Sequence, residues 1–167
     1  GLNAGWEHPL WFADAPGTED TNGFARQNWF EPVGREAAML RDAVGVIDIS
    51  NFGKYEVTGP GAGDWLDALV ANHVPREIGK SCLTPLIGMR GGVAGDFTIT
   101  MTGDESYLMI GSGMAERYHR RFFDMVPLPD GTGFEVATPR IAGFNVAGPR
   151  SREMLAGLTG ADLSNEG

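Results

Sequence analysis

The sequence predicts an α+β fold, with antiparallel strands backed by amphipathic helices. Two segments echo one another: Val57-Thr58-Gly59-Pro60 through Leu69, and Val146-Ala147-Gly148-Pro149 through Leu158. Each reads as a strand, a Gly-Pro turn and a helix, although short amphipathic units can also coincide by chance. Between the copies, residues 82–89, 93–101 and 107–110 read as strands separated by turn residues, with the clearest apolar–polar alternation in 93–101. A hydrophobic content of 42% over 167 residues completes an ordinary globular profile, enough for one sizeable domain or two small subdomains.

The elements follow in order. Residues 1–30 are rich in aromatics (Trp6, Trp11, Phe12, Phe24, Trp29, Phe30) and lack periodicity. They read as an extended arm or the tail of a preceding domain, and so many large rings are expected to be packed. Residues 33–45 read as a helix with Ala37, Leu40 and Val44 on one stripe and Gly45 as its stop. Val46–Ser50 is a short buried strand or turn, and Lys54–Thr58 a strand. Pro60 suits the first position of the next helix, which carries Trp65, Leu66, Leu69 and Val70. Met114–Met125 reads as a helix with Tyr118, Phe122 and Met125 on one side. Residues 134–137 and 141–146 are short strands, and Gly148-Pro149 opens the last helix.

Composition excludes several classes of function. A net charge of −9 argues against nucleic acid or an anionic membrane surface as partner. The densest basic run, Arg117, Arg120 and Arg121 around His119, reads as a solvated helix face. No 18-residue apolar run is present. One cysteine, Cys82, cannot build an internal disulfide framework, and three scattered histidines do not suggest a metal centre. Both ends look cut, which leads us to expect a piece of a longer polypeptide.

Motif by motif, most chemistry is weakly signalled. Gly59-Pro60-Gly61-Ala62-Gly63 lacks the Lys-Ser/Thr ending of a phosphate loop, and Gly111-Ser112-Gly113 is no stronger. Cys82 reads as a small buried residue, and His73 as a helix-capping or surface group. Asp96 stands apart. It follows the glycines at 91, 92 and 95 and enters a strand in which Phe97, Ile99 and Met101 alternate with Thr98 and Thr100. Alternation puts Asp96 on the Thr98–Thr100 face. That face is either simply solvated or the lining of a cavity, and spacing alone leaves both open.

Several segments resemble one family. Asp48-Ile49-Ser50-Asn51-Phe52-Gly53-Lys54 is similar to the aspartate–serine–x–x–glycine stretch of the glycine-cleavage T-protein (aminomethyltransferase) family. Gly91-Gly92-Val93-Ala94-Gly95-Asp96 resembles its glycine–glycine–x–x–x–aspartate turn, and the Gly79-Lys80 to Gly91-Gly92 spacing matches. The arm Gly5-Trp6-Glu7-His8-Pro9-Leu10-Trp11-Phe12 resembles instead the tryptophan-rich junction after the flavin domain of dimethylglycine and sarcosine dehydrogenases.

The resemblance implies the first portion of a cloverleaf fold with a ferredoxin-like antiparallel sheet and packed helices. It divides the chain into an arm, residues 1–30, and the N-terminal part of a folate-binding domain, residues 31–167. It implies tetrahydrofolate as cofactor, with FAD confined to an upstream domain. A small methylated amine-derived iminium would donate carbon that leaves as 5,10-methylenetetrahydrofolate, with neither nucleic acid nor membrane as partner. Asp96 would be the catalytic carboxylate, with Phe52, Leu83, Thr98 and Gly111 at the folate. The family's histidine-methionine is Asn51-Phe52 here, its folate-facing tyrosine is Leu83 and an asparagine of the next strand is Gly111. These departures favour the dehydrogenase branch, in the bacterial cytoplasm or the mitochondrial matrix. A stand-alone aminomethyltransferase and a non-enzymatic folate-fold module are the alternatives.

Overall fold

The computed structural model describes residues 1–3 and 6–164, so Gly5 of the arm and the end at Asn165–Gly167 lie outside the described residues. From the N-terminus come β1 (Leu2–Asn3), β2 (Trp6–Glu7), α1 (Phe30–Asp42) and β3 (Gly45–Asp48). Next are β4 (Gly53–Thr58), α2 (Ala62–Leu69), β5 (Ser81–Ile87), β6 (Val93–Gly103) and β7 (Ser106–Gly111). A 3-10 turn over Gly113–Ala115 leads into α3 (Glu116–Phe123), followed by β8 (Gly133–Val136), β9 (Phe144–Ala147) and α4 (Ser151–Thr159).

Two compact units divide these elements: Asp48–Gly143, and Gly1–Ile47 with Phe144–Gly167. The first unit is a five-stranded antiparallel sheet in the order β5-β6-β7-β4-β8. One face is the core. Tyr55, Val57, Phe97, Ile99, Met101, Tyr107 and Met109 alternate inward from β4, β6 and β7, and meet Trp65, Leu66 and Leu69 of α2 and Phe123 of α3. Tyr55 sits among rings, edge-on to Phe123 at 5.1 Å and to Phe97 at 6.2 Å between centroids. Such pairs add to area burial by about 0.5–1.5 kcal/mol each.

The second unit pairs β3 with β9 and carries α1 and α4. Each unit therefore holds one copy of the echoed motif. Gly59 after β4 has φ +102° and Gly148 after β9 has φ +126°, a region that side chains with a Cβ avoid, which explains why glycine recurs at the turn.

Several expected boundaries shift. The helix expected at 33–45 runs from Phe30 to Asp42, because Pro32 in its first turn needs no intrahelical donor and Ala43 already leaves helical geometry. Pro60 precedes α2 by two residues rather than opening it, since Gly61, with φ +81°, is the N-cap. β3 is not buried: Val46 and Ile47 are exposed. On α3 the buried pair is His119 and Phe123, four residues apart, while Tyr118 and Met125 are exposed, because the i,i+4 pair is the one that meets Tyr55 and Phe97. In the arm, Phe12 and Phe24 are exposed rather than packed, and the contacts are local: Trp11 Nε1 donates to Asp20, the Arg26 guanidinium lies over Phe30, and Trp29 leans on Phe30. No helix among the described residues is long and apolar enough to cross a membrane.

The two faces of the sheet should respond differently to one truncation. Leu66→Ala removes a fully buried side chain and is expected to cost about 2–5 kcal/mol. Leu83→Ala, on the other face, should stay within about 0.5 kcal/mol in the same urea titration.

Candidate functional site

Burial of Phe97, Ile99 and Met101 turns Asp96, Thr98 and Thr100 to the opposite face, where Asp96 and Thr98 are exposed. Across the β5–β6 ladder Leu83 is the partner of Thr98, and Pro85 that of Asp96. Leu83 is 69% exposed, an apolar side chain presented to solvent beside a carboxylate two residues along the neighbouring strand. The β6–β7 and β7–β4 ladders continue this row through Ile110, partner of Thr98, and Lys54, partner of Ile110.

Gly111 faces the other way. A Cβ there would lie 2.5 Å from two ring carbons of Phe97 and 3.1 Å from the Asp96 carbonyl oxygen. Gly111 therefore offers backbone rather than side chain, and its smallness lets β7 close against Asp96. Its ladder partner is Gly53, so the turn carrying Phe52 adjoins the same end of the sheet. Phe52 is half-exposed there. Asp96, Thr98 and Leu83 thus share one face, and Gly111 and Phe52 border it at one end.

The turn before β4 is held by its own polar groups. The Ser50 N–H donates to Asp48 Oδ1 at 2.7 Å, and hydrogen bonds from Ser50 hold the Asp48 carboxyl below its ordinary value. The Gly143 N–H donates to Ser50 Oγ at 3.0 Å. The Lys54 ammonium, only 2% exposed, donates to the Ser50 and Phe52 carbonyls, both at 2.9 Å. A buried ammonium is tolerated only with such partners. Arg140 is likewise committed, to Glu56 and Glu135 at the β4–β8 edge.

Sequence reasoning missed what lies beneath. His119, placed there on a solvated helix face, is 1% exposed, with its ring edge-on to Phe97 at 4.7 Å. Its Nδ1 lies 3.2 Å from Tyr55 Oη. Burial pushes the His119 ring below its ordinary value of 6.5, and the charges of Asp96 and Glu116 partly restore it. Burial, helped by Glu116, raises the Tyr55 hydroxyl far above its own. The signal available was the four-residue spacing of His119 and Phe123, masked by three arginines. Elsewhere, His73 is exposed with Nδ1 at 3.5 Å from Asp67, and burial raises the half-buried Cys82 thiol, which keeps it protonated at neutral pH.

A family model described as the GCVT N-terminal domain matches residues 1–167. The chain belongs to that family. Dimethylglycine dehydrogenase, mitochondrial, of Mus musculus is 35% identical to this GCVT domain over 170 residues, which is 99% of the chain and 19% of the relative. The 4-methylaminobutanoate oxidase (formaldehyde-forming) of Paenarthrobacter nicotinovorans is 29% identical over 97% of the chain and 20% of its own length. The domain thus spans about a fifth of these relatives. Among solved structures, the glycine cleavage system aminomethyltransferase T from Bartonella henselae superposes with a TM-score of 0.65 at 18% identity, covering 84% of this chain and 40% of that one. This likeness shows that the antiparallel sheet and its helices share the aminomethyltransferase T fold.

His119 makes stability pH-dependent with a definite sign. Its folded-state pKa is depressed, so the unfolded chain binds more protons below about 6.5. Its contribution is complete above that pH and declines as pH falls through the folded value. Thermal melting between pH 7.5 and 5 should show a falling midpoint, and His119→Gln should flatten that slope.

Proposed function

We propose that this domain is the tetrahydrofolate-binding part of an enzyme that demethylates small N-methylated amines, and that it accepts the methyl-derived carbon. The observation that carries this is Asp96: an exposed carboxylate on a strand whose other face is core, next to an exposed leucine. A flat heterocycle bearing a basic amine fits that combination, with apolar surface against Leu83 and a hydrogen-bond acceptor at Asp96. The names of the relatives, a dimethylglycine dehydrogenase and a formaldehyde-forming oxidase of a methylamino acid, support the substrate class.

The residues present suit the amine end of the cofactor. Among the described residues of this face, Lys54 and Arg140 are engaged with carbonyls and with two glutamates, so neither is free to clamp the cofactor's carboxylate tail. Tetrahydrofolate, when bound, supplies nitrogen nucleophiles that take up carbon at the formaldehyde level to leave as 5,10-methylenetetrahydrofolate. Asp96 orients the amine, stabilises positive charge developing near it and takes up the proton released. Thr98 and Leu83 position the ring, and the backbone of Gly111 and the Phe52 turn close one end. A flavin belongs, in this reading, to another part of the parent polypeptide and oxidises the amine there.

The test uses the full-length protein. Asp96→Asn should lower methylenetetrahydrofolate formation by about 100-fold, within the range of a positioned acid–base group, while amine oxidation continues and free formaldehyde accumulates. Unchanged folate coupling would remove Asp96 from the chemistry. The fold likeness to aminomethyltransferase T favours a second reading, transfer from a carrier-bound aminomethyl group. A full-length protein without flavin absorbance that is inactive on free methylamines would establish that one instead.

A further inference from the structure

We propose that Tyr55 and His119 form a positioning pair beneath the candidate site, setting the Gly95–Asp96 and Phe52–Gly53 segments relative to one another. This rests on the folate reading above. Both side chains are fully buried on the core face, so neither reaches a ligand.

The geometry is specific to these two residues. His119 Nε2 lies where it would be 2.7 Å from a Cβ on Gly95, the residue before Asp96. Tyr55 Oη lies where it would be 2.9 Å from a Cβ on Gly53, the residue after Phe52. Glycine at 53 and 95 lets each polar tip press against main chain, and the 3.2 Å contact between Oη and Nδ1 ties the two tips together. The two segments belong to β4 and β6, which are not neighbours: β7 separates them in the sheet. Backbone ladders alone therefore link them only through β7, where Gly111 has no side chain to wedge the gap. The Tyr55–His119 contact spans that interval directly, one layer below.

Ring packing holds the pair upright. His119 is edge-on to Phe97 and Tyr55 to both Phe97 and Phe123, so neither ring can tilt without displacing the core. With its proton on Nε2, the neutral imidazole accepts the tyrosine O–H. The Asp96 charge is felt at His119 through the strand, alongside that of Glu116. A shift of a few tenths of an ångström in Gly95 would move the Asp96 carboxylate by a similar amount, which matters for a group that must meet a reacting amine in hydrogen-bonding geometry.

Tyr55→Phe in the full-length enzyme removes only the hydroxyl. It should lower kcat for methylenetetrahydrofolate formation about 5–10-fold, with KM for tetrahydrofolate changed less than twofold and amine oxidation unaffected. His119→Asn, which keeps a hydrogen-bonding group at the Nδ1 position, should retain several-fold more of that kcat than His119→Leu. A folded Tyr55→Phe protein with wild-type kcat overturns the positioning role alone. A wild-type enzyme that neither binds tetrahydrofolate nor forms the product overturns the folate reading and this inference with it. A measurement free of core substitutions covers the case of unfolded variants: nitrogen NMR of the His119 ring in the wild-type protein should show Nδ1 engaged in a hydrogen bond. An Nδ1 without one would show that the two tips are not tied together, and would overturn the proposal.

Discussion

The alternation of β6 is the constraint on which the rest of the structure depends. The core claims Phe97, Ile99 and Met101, and a strand has only two faces. Asp96, Thr98 and Thr100 are thereby assigned to the other face without any contribution from their own preferences. A slip of one residue against β5 or β7 would drive a carboxylate into a cluster of aromatic rings, at a cost no local contact there offsets. Core packing and presentation of the acid are thus a single condition. That is why an exposed catalytic candidate can be held rigidly: its backbone is anchored by side chains pointing the opposite way.

Much of this was legible in the sequence, and the limits have physical causes. Period-two patterning located β4, β6 and β7, because strands with one buried face advertise themselves. The repeated Gly-Pro unit located both strand-to-helix turns, because only glycine accommodates the backbone at positions 59 and 148. The face of Asp96 followed from alternation, but its neighbours across the ladder did not, since register is set by the whole sheet. α3 was misread because three arginines in eight residues outweigh one histidine in any charge count, while burial is decided by which two positions meet the sheet. The burial of Lys54 had no signal in the sequence, because it depends on the turn before the strand folding back to offer two carbonyls. The aromatic arm failed differently, since composition alone does not say whether a packing partner is present.

The face that carries Asp96 has few formal charges left without a partner. Glu56 and Glu135 share the single Arg140 guanidinium at one edge, and the Lys54 charge is absorbed by carbonyl dipoles. What remains exposed near Leu83 is one acid amid neutral groups. A lone anion on a low-charge surface selects a cationic or basic partner more sharply than an anion within a mixed-charge field, where counter-charges compete for it.

The buried Lys54 ammonium has a practical corollary. The chain contains two lysines, and the other, Lys80, is exposed. An amine-reactive reagent will therefore reach Lys80 directly, whereas Lys54 reacts only when the 50–53 turn lifts away and releases it. The ratio of the two labelling rates is an internal clock for the opening of the segment that carries Phe52, readable by mass spectrometry without any engineered probe. A bound ligand that engages that segment would slow the clock at Lys54 and leave Lys80 untouched.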